Sequence, residues 1–306
     1  MIVYYKRLAN TLMVLGALLG AMVGLIHYRG VILGNSSKIA IFVFALYIFT
    51  GIIVFRLIGA VVANKKLKEV QSKLFLETKP KEFLTIFEPV NARVPHNLAE
   101  YANGQHWISY AREALGDFDG AWDAIKDLKP EELKIHALTT SSLIVNQKTN
   151  LMILKRDFEA AEYQIEDLKH LKELAVKRAK RLSDNLAQQI RVQEARIAAA
   201  KGSEDADINY LLEEVQYASN VIYKKEIQLE IAEYYLRMDS SDSSLKDKAI
   251  ELLKDIVRER KGLYTEEMAD KLIANPESVY RYIEYNESSV NEDPVISDDT
   301  AVEETV

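Results

Sequence analysis

Residues able to move protons, hold a metal or attack a substrate are present in this chain, but not in the arrangements those tasks need. Five histidines lie at positions 27, 96, 106, 136 and 170, too scattered for a local ligand set or a base–carboxylate pair. No H-E-x-x-H, no phosphate loop ending in Gly-Lys-Ser/Thr and no G-x-S-x-G elbow occurs. Cysteine is absent, which removes disulfides, thiolate metal sites and a thiol nucleophile. Asp239 and Asp242 in DSSDSS are spaced like cation ligands but lack the glycine and distal glutamate of a calcium loop, so a Ser-rich turn is expected. No catalytic, cofactor-binding or metal-binding residue is assigned. The expectation is a protein that binds and is not an enzyme; converging groups with shifted pKa values in a deep pocket would be the feature to reverse it.

What must position a binding surface is set by the first 68 residues. There Lys6, Arg7, Arg29, Lys38, Arg56, Lys65, Lys66 and Lys68 frame two apolar runs, with no acidic residue among them. Leu8 to Ile26 is 19 residues without formal charge, and Ile39 to Phe55 is 17. As helices rising about 1.5 Å per residue these are roughly 28 and 26 Å long, close to a hydrocarbon core of about 30 Å. The second run gains length from Leu57 to Ala63, beyond an Arg56 whose stem reaches toward the headgroups. A two-helix transmembrane hairpin over 1–64 is expected, with spans at about 8–28 and 38–63.

Lys6, Arg7, Arg56, Lys65, Lys66 and Lys68 flank the outer ends of the spans, against Arg29 and Lys38 in the connecting loop. That distribution favours an integral protein of the cell membrane with both termini cytoplasmic. A cleaved signal peptide is the competing reading of the first run, which is long for such a segment and lacks a small-x-small site with polar flanks. Gly16, Gly20 and Gly24 recur every four residues and form one close-packing face, for Gly51, Gly59 and Ala63 of the second span or for a second copy in a homo-oligomer. The spans contain no acid and no proline break, the marks of a transport path.

Beyond position 68 the composition changes sign, with 31 basic residues against 46 acidic ones. An acidic domain is poorly matched to nucleic acid, whose binding rests on Lys and Arg displacing counterions. Glycine and proline are scarce, alternating strand patterns are absent, and Ala, Leu, Glu and Lys dominate, so the region reads as all helix. Residues 65–96 form a helical linker punctuated by Pro80, Pro89 and Pro95. Residues 116–128, GDFDGAWDAIKDL, and 156–168, RDFEAAEYQIEDL, then match without gaps at a shift of 40. Phe118, Ala121, Ile125 and Leu128 fall on one helix stripe, as do Phe158, Ala161, Ile165 and Leu168, with the small alanine where a neighbouring helix crosses closest. Asp117 and Asp157 stand where an N-cap is needed, after a tight turn that Gly116 eases in the first copy. Weaker echoes follow at Ile208, Leu211, Val215 and Ala218, and at Ala249, Leu253 and Ile256.

At these residues the chain resembles the tetratricopeptide repeat family, helical hairpins stacked into a superhelix. Gly116, Phe118, Ala121 and Pro130 in one unit and Phe158 and Ala161 in the next carry the resemblance. Trp107, Ser109 and Tyr110 lie near the family's first-helix positions without matching them, and a spacing of 40 residues replaces the usual count of about 34. The resemblance implies an all-α solenoid over 97–285, of four units capped by a helix near Glu277 to Tyr285. It further implies a concave groove built from first helices, lined by His106, Tyr110, Glu113, Asn146 and Asn150 and taking a protein or peptide partner. Asn side chains suit this because one amide both donates to and accepts from a peptide backbone.

A single long helix is expected from about Glu166 to Lys201, with Leu168, Leu171, Ala175, Ala179, Leu182, Leu186, Ile190 and Ile197 on its buried face. Lys177, Arg178, Lys180 and Arg181 form its solvated basic cluster, or a contact for anionic lipid if the array folds back on the bilayer. Residues 286–306, acidic and without a basic residue, are expected to be disordered. The function expected is a membrane-anchored scaffold or adaptor holding a partner in a cytoplasmic groove. The alternative is a non-catalytic subunit of a membrane enzyme or transporter assembly.

Overall fold

Apolar residues stepping by three and four produce helices throughout, twelve of them and no strand among the described residues. The computed structural model describes residues 2–31, 37–129, 138–238 and 243–279. Pro130, His136, Asp239, Asp242 and the helix and tail expected beyond 279 lie outside them.

Helices α1 (Ile2–Val31) and α2 (Ser37–Phe75) pack along each other. The glycine spacing is the reason: a Cβ on Gly16 would meet the Gly51 carbonyl at 2.5 Å, one on Gly20 the backbone of Tyr47 and Ile48, and one on Gly24 the Phe44 ring at 2.8 Å. Missing side chains let the two backbones touch, and dispersion contacts follow along the seam. The outward faces are apolar and uncovered, with Ile26 67% and Phe42 71% exposed. Burying such faces is what a lipid core does. By length and composition, one segment of α2, Phe42–Phe75, is sufficient to cross a membrane, and a shorter apolar helix covers Asn10–Ile26.

Past its apolar part α2 continues unbroken to Phe75, where α3 (Pro80–Asn91) turns back with a proline in its first turn and buries Phe83 and Phe87 beside Leu74. The remaining helices come in pairs: α4 (Ala99–Ala114) with α5 (Phe118–Ile125), α6 (Leu138–Leu154) with α7 (Phe158–Val176), α8 (Lys180–Lys201) with α9 (Ile208–Tyr217), and α10 (Val221–Met238) with α11 (Ser243–Arg258). A last helix, α12 (Tyr264–Ala274), follows. The second helices begin as their sequences require. Asp117 accepts from the Gly120 N–H, Asp157 from Ala160 and Asp207 from Tyr210, each filling an orphan donor of the first turn. Ala121, Ala161, Leu211, Ala249 and Leu253 are fully buried on the stripes that recur between pairs.

The long helix expected from Glu166 to Lys201 is two helices, broken at Lys177–Ala179. No glycine or proline marks the break. Folding α8 back onto α7 brings Ile165, Leu168 and Ala175 against Leu186, Ile190 and Ile197 in one core, whereas a straight helix would leave much of that stripe in water. Lys177, Arg178, Lys180 and Arg181 are exposed around this turn. The helix α8 thereby becomes the first member of the third pair.

Helices α4, α6, α8, α10 and α12 are neighbours in series, and α12 returns to touch α4. Phe118 meets the Tyr264 ring edge-on at 4.9 Å, and Ile222 and Leu263 join Ile108 and Ala111 in one apolar cluster. The series of first helices therefore closes on itself, and its inner faces meet.

Candidate functional site

What meets there is polar. Helix α10 carries Tyr223, Glu226, Glu230, Glu233 and Arg237 at steps of three and four, so all face one way. Ile227 and Ile231, on its other side, are fully buried. With apolar partners on that side, the acidic stripe turns inward to the seam.

Glu113 of α4, 2% exposed, accepts hydrogen bonds from Gln147 Nε2 and Asn150 Nδ2 of α6 and shares a further one with Glu226 of α10. Arg196 of α8, 1% exposed, spans Glu230 with two bonds, Nε to Oε2 at 2.8 Å and Nη2 to Oε1 at 2.6 Å. Its Nη1 donates to Gln193 Oε1 at 3.3 Å, and Gln193 Nε2 donates to Asn146 Oδ1 at 3.0 Å. Arg156 reaches Glu233 at 3.1 Å, with Arg237 at 3.7 Å from the same carboxylate. Lys225 and Glu266 form a separate buried pair at 2.5 Å, and Glu266 also accepts the backbone N–H groups of Lys261, Gly262 and Leu263 where α12 begins.

Burial and pairing set the charge states. Burial pushes the Glu113 carboxyl up to about 7, although Arg196 and Gln147 pull the other way. Burial first, then the neighbouring Glu113, hold Glu226 well above the carboxylate range. Glu233 is raised by burial against the opposing pull of Arg156 and Arg237. Burial alone would lower Arg196, but the charge and hydrogen bonds of Glu230 outweigh it and the net direction is up. Burial lowers His106 to about 4, raises Tyr110 well above its ordinary value and pushes Tyr223 up to about 12.

The residues singled out by sequence are distributed unevenly over this seam. Glu113 and Asn150 are buried and bonded to each other, and Asn146 is linked through Gln193 to Arg196 and so to Glu230. Tyr110 lies within the field of Glu113 and Glu226 and stacks at 6.1 Å on Phe75. His106 is half-buried, and its enclosed Nδ1 has no hydrogen-bond partner. Sequence reasoning missed Arg196, Glu226, Glu230 and Glu233. Their signal is a helix with no face left for water, since α10 is apolar on both sides of its acidic stripe.

On one flank of the seam, six carboxamides, Asn146, Asn150, Asn185, Gln188, Gln189 and Gln193, line a recess of about 290 Å3 together with Arg196, Glu214 and Tyr223. Asn150 Oδ1 and Gln189 Oε1 are enclosed there without a hydrogen-bond partner. On the other flank a smaller cavity of about 60 Å3 reaches Glu113 and Glu226. Among the described residues no group of His and acidic side chains is arranged to hold a metal. No family model, no curated protein and no solved structure matches this chain. Fold and site thus define an all-helical protein with a helix long enough to span a membrane and a charged seam inside its paired helices.

Proposed function

We propose that this protein is a membrane-anchored helical-repeat scaffold that holds an extended segment of a partner protein in the amide-lined recess beside α6 and α8. The observation that carries the reading is the recess itself, with six carboxamides and two enclosed acceptors lacking donors. An extended peptide offers alternating N–H and C=O groups, and carboxamides answer both. Leaving a buried acceptor unpaired costs about 1–3 kcal/mol, so a segment supplying donors to Asn150 and Gln189 gains by removing that penalty. The resemblance of the second helices to the tetratricopeptide family supports the same surface, because α6 and α8 are first helices of their pairs.

The anchor in this reading is a two-span hairpin of α1 and α2, supported by their glycine-to-backbone packing and their uncovered apolar faces. The charge distribution around the two runs supports a cytoplasmic side for the helical pairs. A catalytic reading gains little from the shifted carboxyls, since the cavity that reaches them, at about 60 Å3, has room for about four to six waters at roughly 10–15 Å3 each.

Site-specific photocrosslinking in intact cells tests the proposal. A benzoylphenylalanine at Gln188, on the recess rim, is expected to give a discrete crosslinked product, and one at Tyr163, 68% exposed on α7, is not. Gln189→Leu should abolish the Gln188 product while thermal unfolding stays unchanged. Absence of any product at Gln188, or equal products at both positions, overturns the reading.

A further inference from the structure

The cavity on the other flank of the seam has its own chemistry and does not depend on the amide-lined recess. Phe118, Leu154 and Met268 form a half-buried apolar strip of its lining, beside the charged Arg156, Glu230, Glu233 and Arg237, and Glu113, Glu226 and Thr265 are buried among apolar side chains. Two lining atoms have no hydrogen-bond partner: Glu226 Oε1 and Thr265 Oγ1, on side chains each 6% exposed. Buried polar atoms left unpaired are uncommon, and here both line one space.

The charges around that space do not balance. Arg196 spans both oxygens of Glu230, and Arg156 and Arg237 converge on Glu233. Four carboxyls, those of Glu113, Glu226, Glu230 and Glu233, therefore face three guanidiniums, and the Glu113–Glu226 pair is one positive charge short. The Glu113–Glu226 hydrogen bond requires a proton between them, which supplies the missing charge when the cavity holds nothing else. Around the pair, Tyr110 and Tyr223 are kept neutral by burial, and Arg196 stays charged through Glu230.

The wall of the cavity is also strained. Arg156 has a φ of +59°, a left-handed conformation, at the place occupied by Gly116, φ +80°, in the preceding unit. Glycine adopts this backbone freely and arginine does not. The guanidinium bonds to Glu233 and the Ala200 carbonyl that accompany the strain put Arg156 on the cavity wall.

We propose that this cavity binds the ammonium head of a small primary amine. The ammonium donates its three N–H groups to Glu226 Oε1, Thr265 Oγ1 and the Glu113 carboxylate, and its alkyl stem leaves along Phe118, Leu154 and Met268. An ammonium has three donors and no acceptor, which matches a lining with unpaired acceptors. Both carboxyls are ionised in the bound state, so the shared proton leaves to solvent as the amine enters. The space suits one head group and its first methylene.

Isothermal titration of the purified full-length protein with n-butylamine at pH 6, where the pair holds its proton, repeated in two buffers of different ionisation heat, tests this. Saturable binding with release of close to one proton is expected. 1-Butanol, which has the stem without the charge, and tetramethylammonium, which has the charge without N–H donors, should give no saturable heat. Glu226→Gln should weaken butylamine at least tenfold. Thr265→Val, which leaves the carboxyls in place, should weaken it several-fold and decides the matter if the first variant does not fold. No saturable heat with butylamine, equal heats with either control, no proton release, or unchanged affinity in the variants overturns the proposal.

Discussion

Replacing Glu226 by glutamine is expected to stabilise the protein at pH 8 and to leave it almost unchanged at pH 5. Folding moves Glu113 from an ordinary value of 4.5 to about 7, so between those limits the folded state holds more protons than the unfolded one. Stability linked to this group is complete below about 4.5 and is lost as pH rises through about 7. At about 1.4 kcal/mol per tenfold change in proton affinity, the ceiling is roughly 3 kcal/mol. In Glu226→Gln the amide supplies the hydrogen bond that the shared proton supplies in the parent, and the penalty at high pH should largely vanish. His106 acts in the opposite sense: depressed from 6.5 to about 4, it contributes stability above about 6.5 that is lost as pH falls through about 4. The two nearly offset each other between pH 4.5 and 6.5 in the parent, so the quantity to follow is the difference between parent and variant, in which His106 cancels. Urea unfolding in detergent, read from tryptophan fluorescence, reports on the right helices, since Trp107 lies in α4 with Glu113 and Trp122 in α5, which packs on α4. Equal shifts at pH 5 and pH 8, or destabilisation at pH 8, would refute a shared buried proton.

Arg196→Ala should cost about 3–5 kcal/mol in the same assay, because it leaves Glu230 buried without its partner, and adding Glu230→Gln should recover part of the loss. Gly20→Leu should sharply lower the resistance of the purified protein to detergent and heat, whereas Leu19→Ala, at a residue 42% exposed, should not; equal losses would remove the special status of the glycine face. Ala121→Leu and Ala161→Leu, each at a fully buried helix crossing, should each cost about 1–3 kcal/mol by overpacking, measured by thermal unfolding. Single cysteines at Ser36 and Ser289, both outside the described residues, test the topology: an impermeant thiol reagent should label the first in whole cells and spare the second.

Features that depend on a few neighbouring residues could be read from the chain directly. Asp117 and Asp157 cap their helices because an N-cap needs only a short acceptor three residues before its donor. Gly16, Gly20 and Gly24 face the second helix because a four-residue step defines one side of any helix. The break between Val176 and Lys180 left no such mark. It is decided by burial of Leu168 and Ala175 against Leu186 and Ile190, a contact that exists only once the chain has folded back. Glu113 and Asn150, expected to line an open groove, are buried in the interior, a burial that depends on helices distant in the chain and leaves no local mark.

The same dependence on distant packing holds for Glu226, Glu230 and Glu233. Acidic residues at steps of three and four on an isolated helix belong in water, and the packing of α8 and α12 on α10 denies it to them. An apolar seam of the same volume would stabilise such a closure as well or better, since desolvating ions consumes most of what their pairing returns. What an apolar seam cannot do is respond. With four carboxyls set against three guanidiniums, the contact between the first and fourth helix pairs depends on one further positive charge, a proton or an ammonium, at Glu113 and Glu226. The ends of the series are thereby coupled to whatever supplies that charge, and the amide-lined recess, which shares Arg196 with the seam, lies one hydrogen-bonded step away.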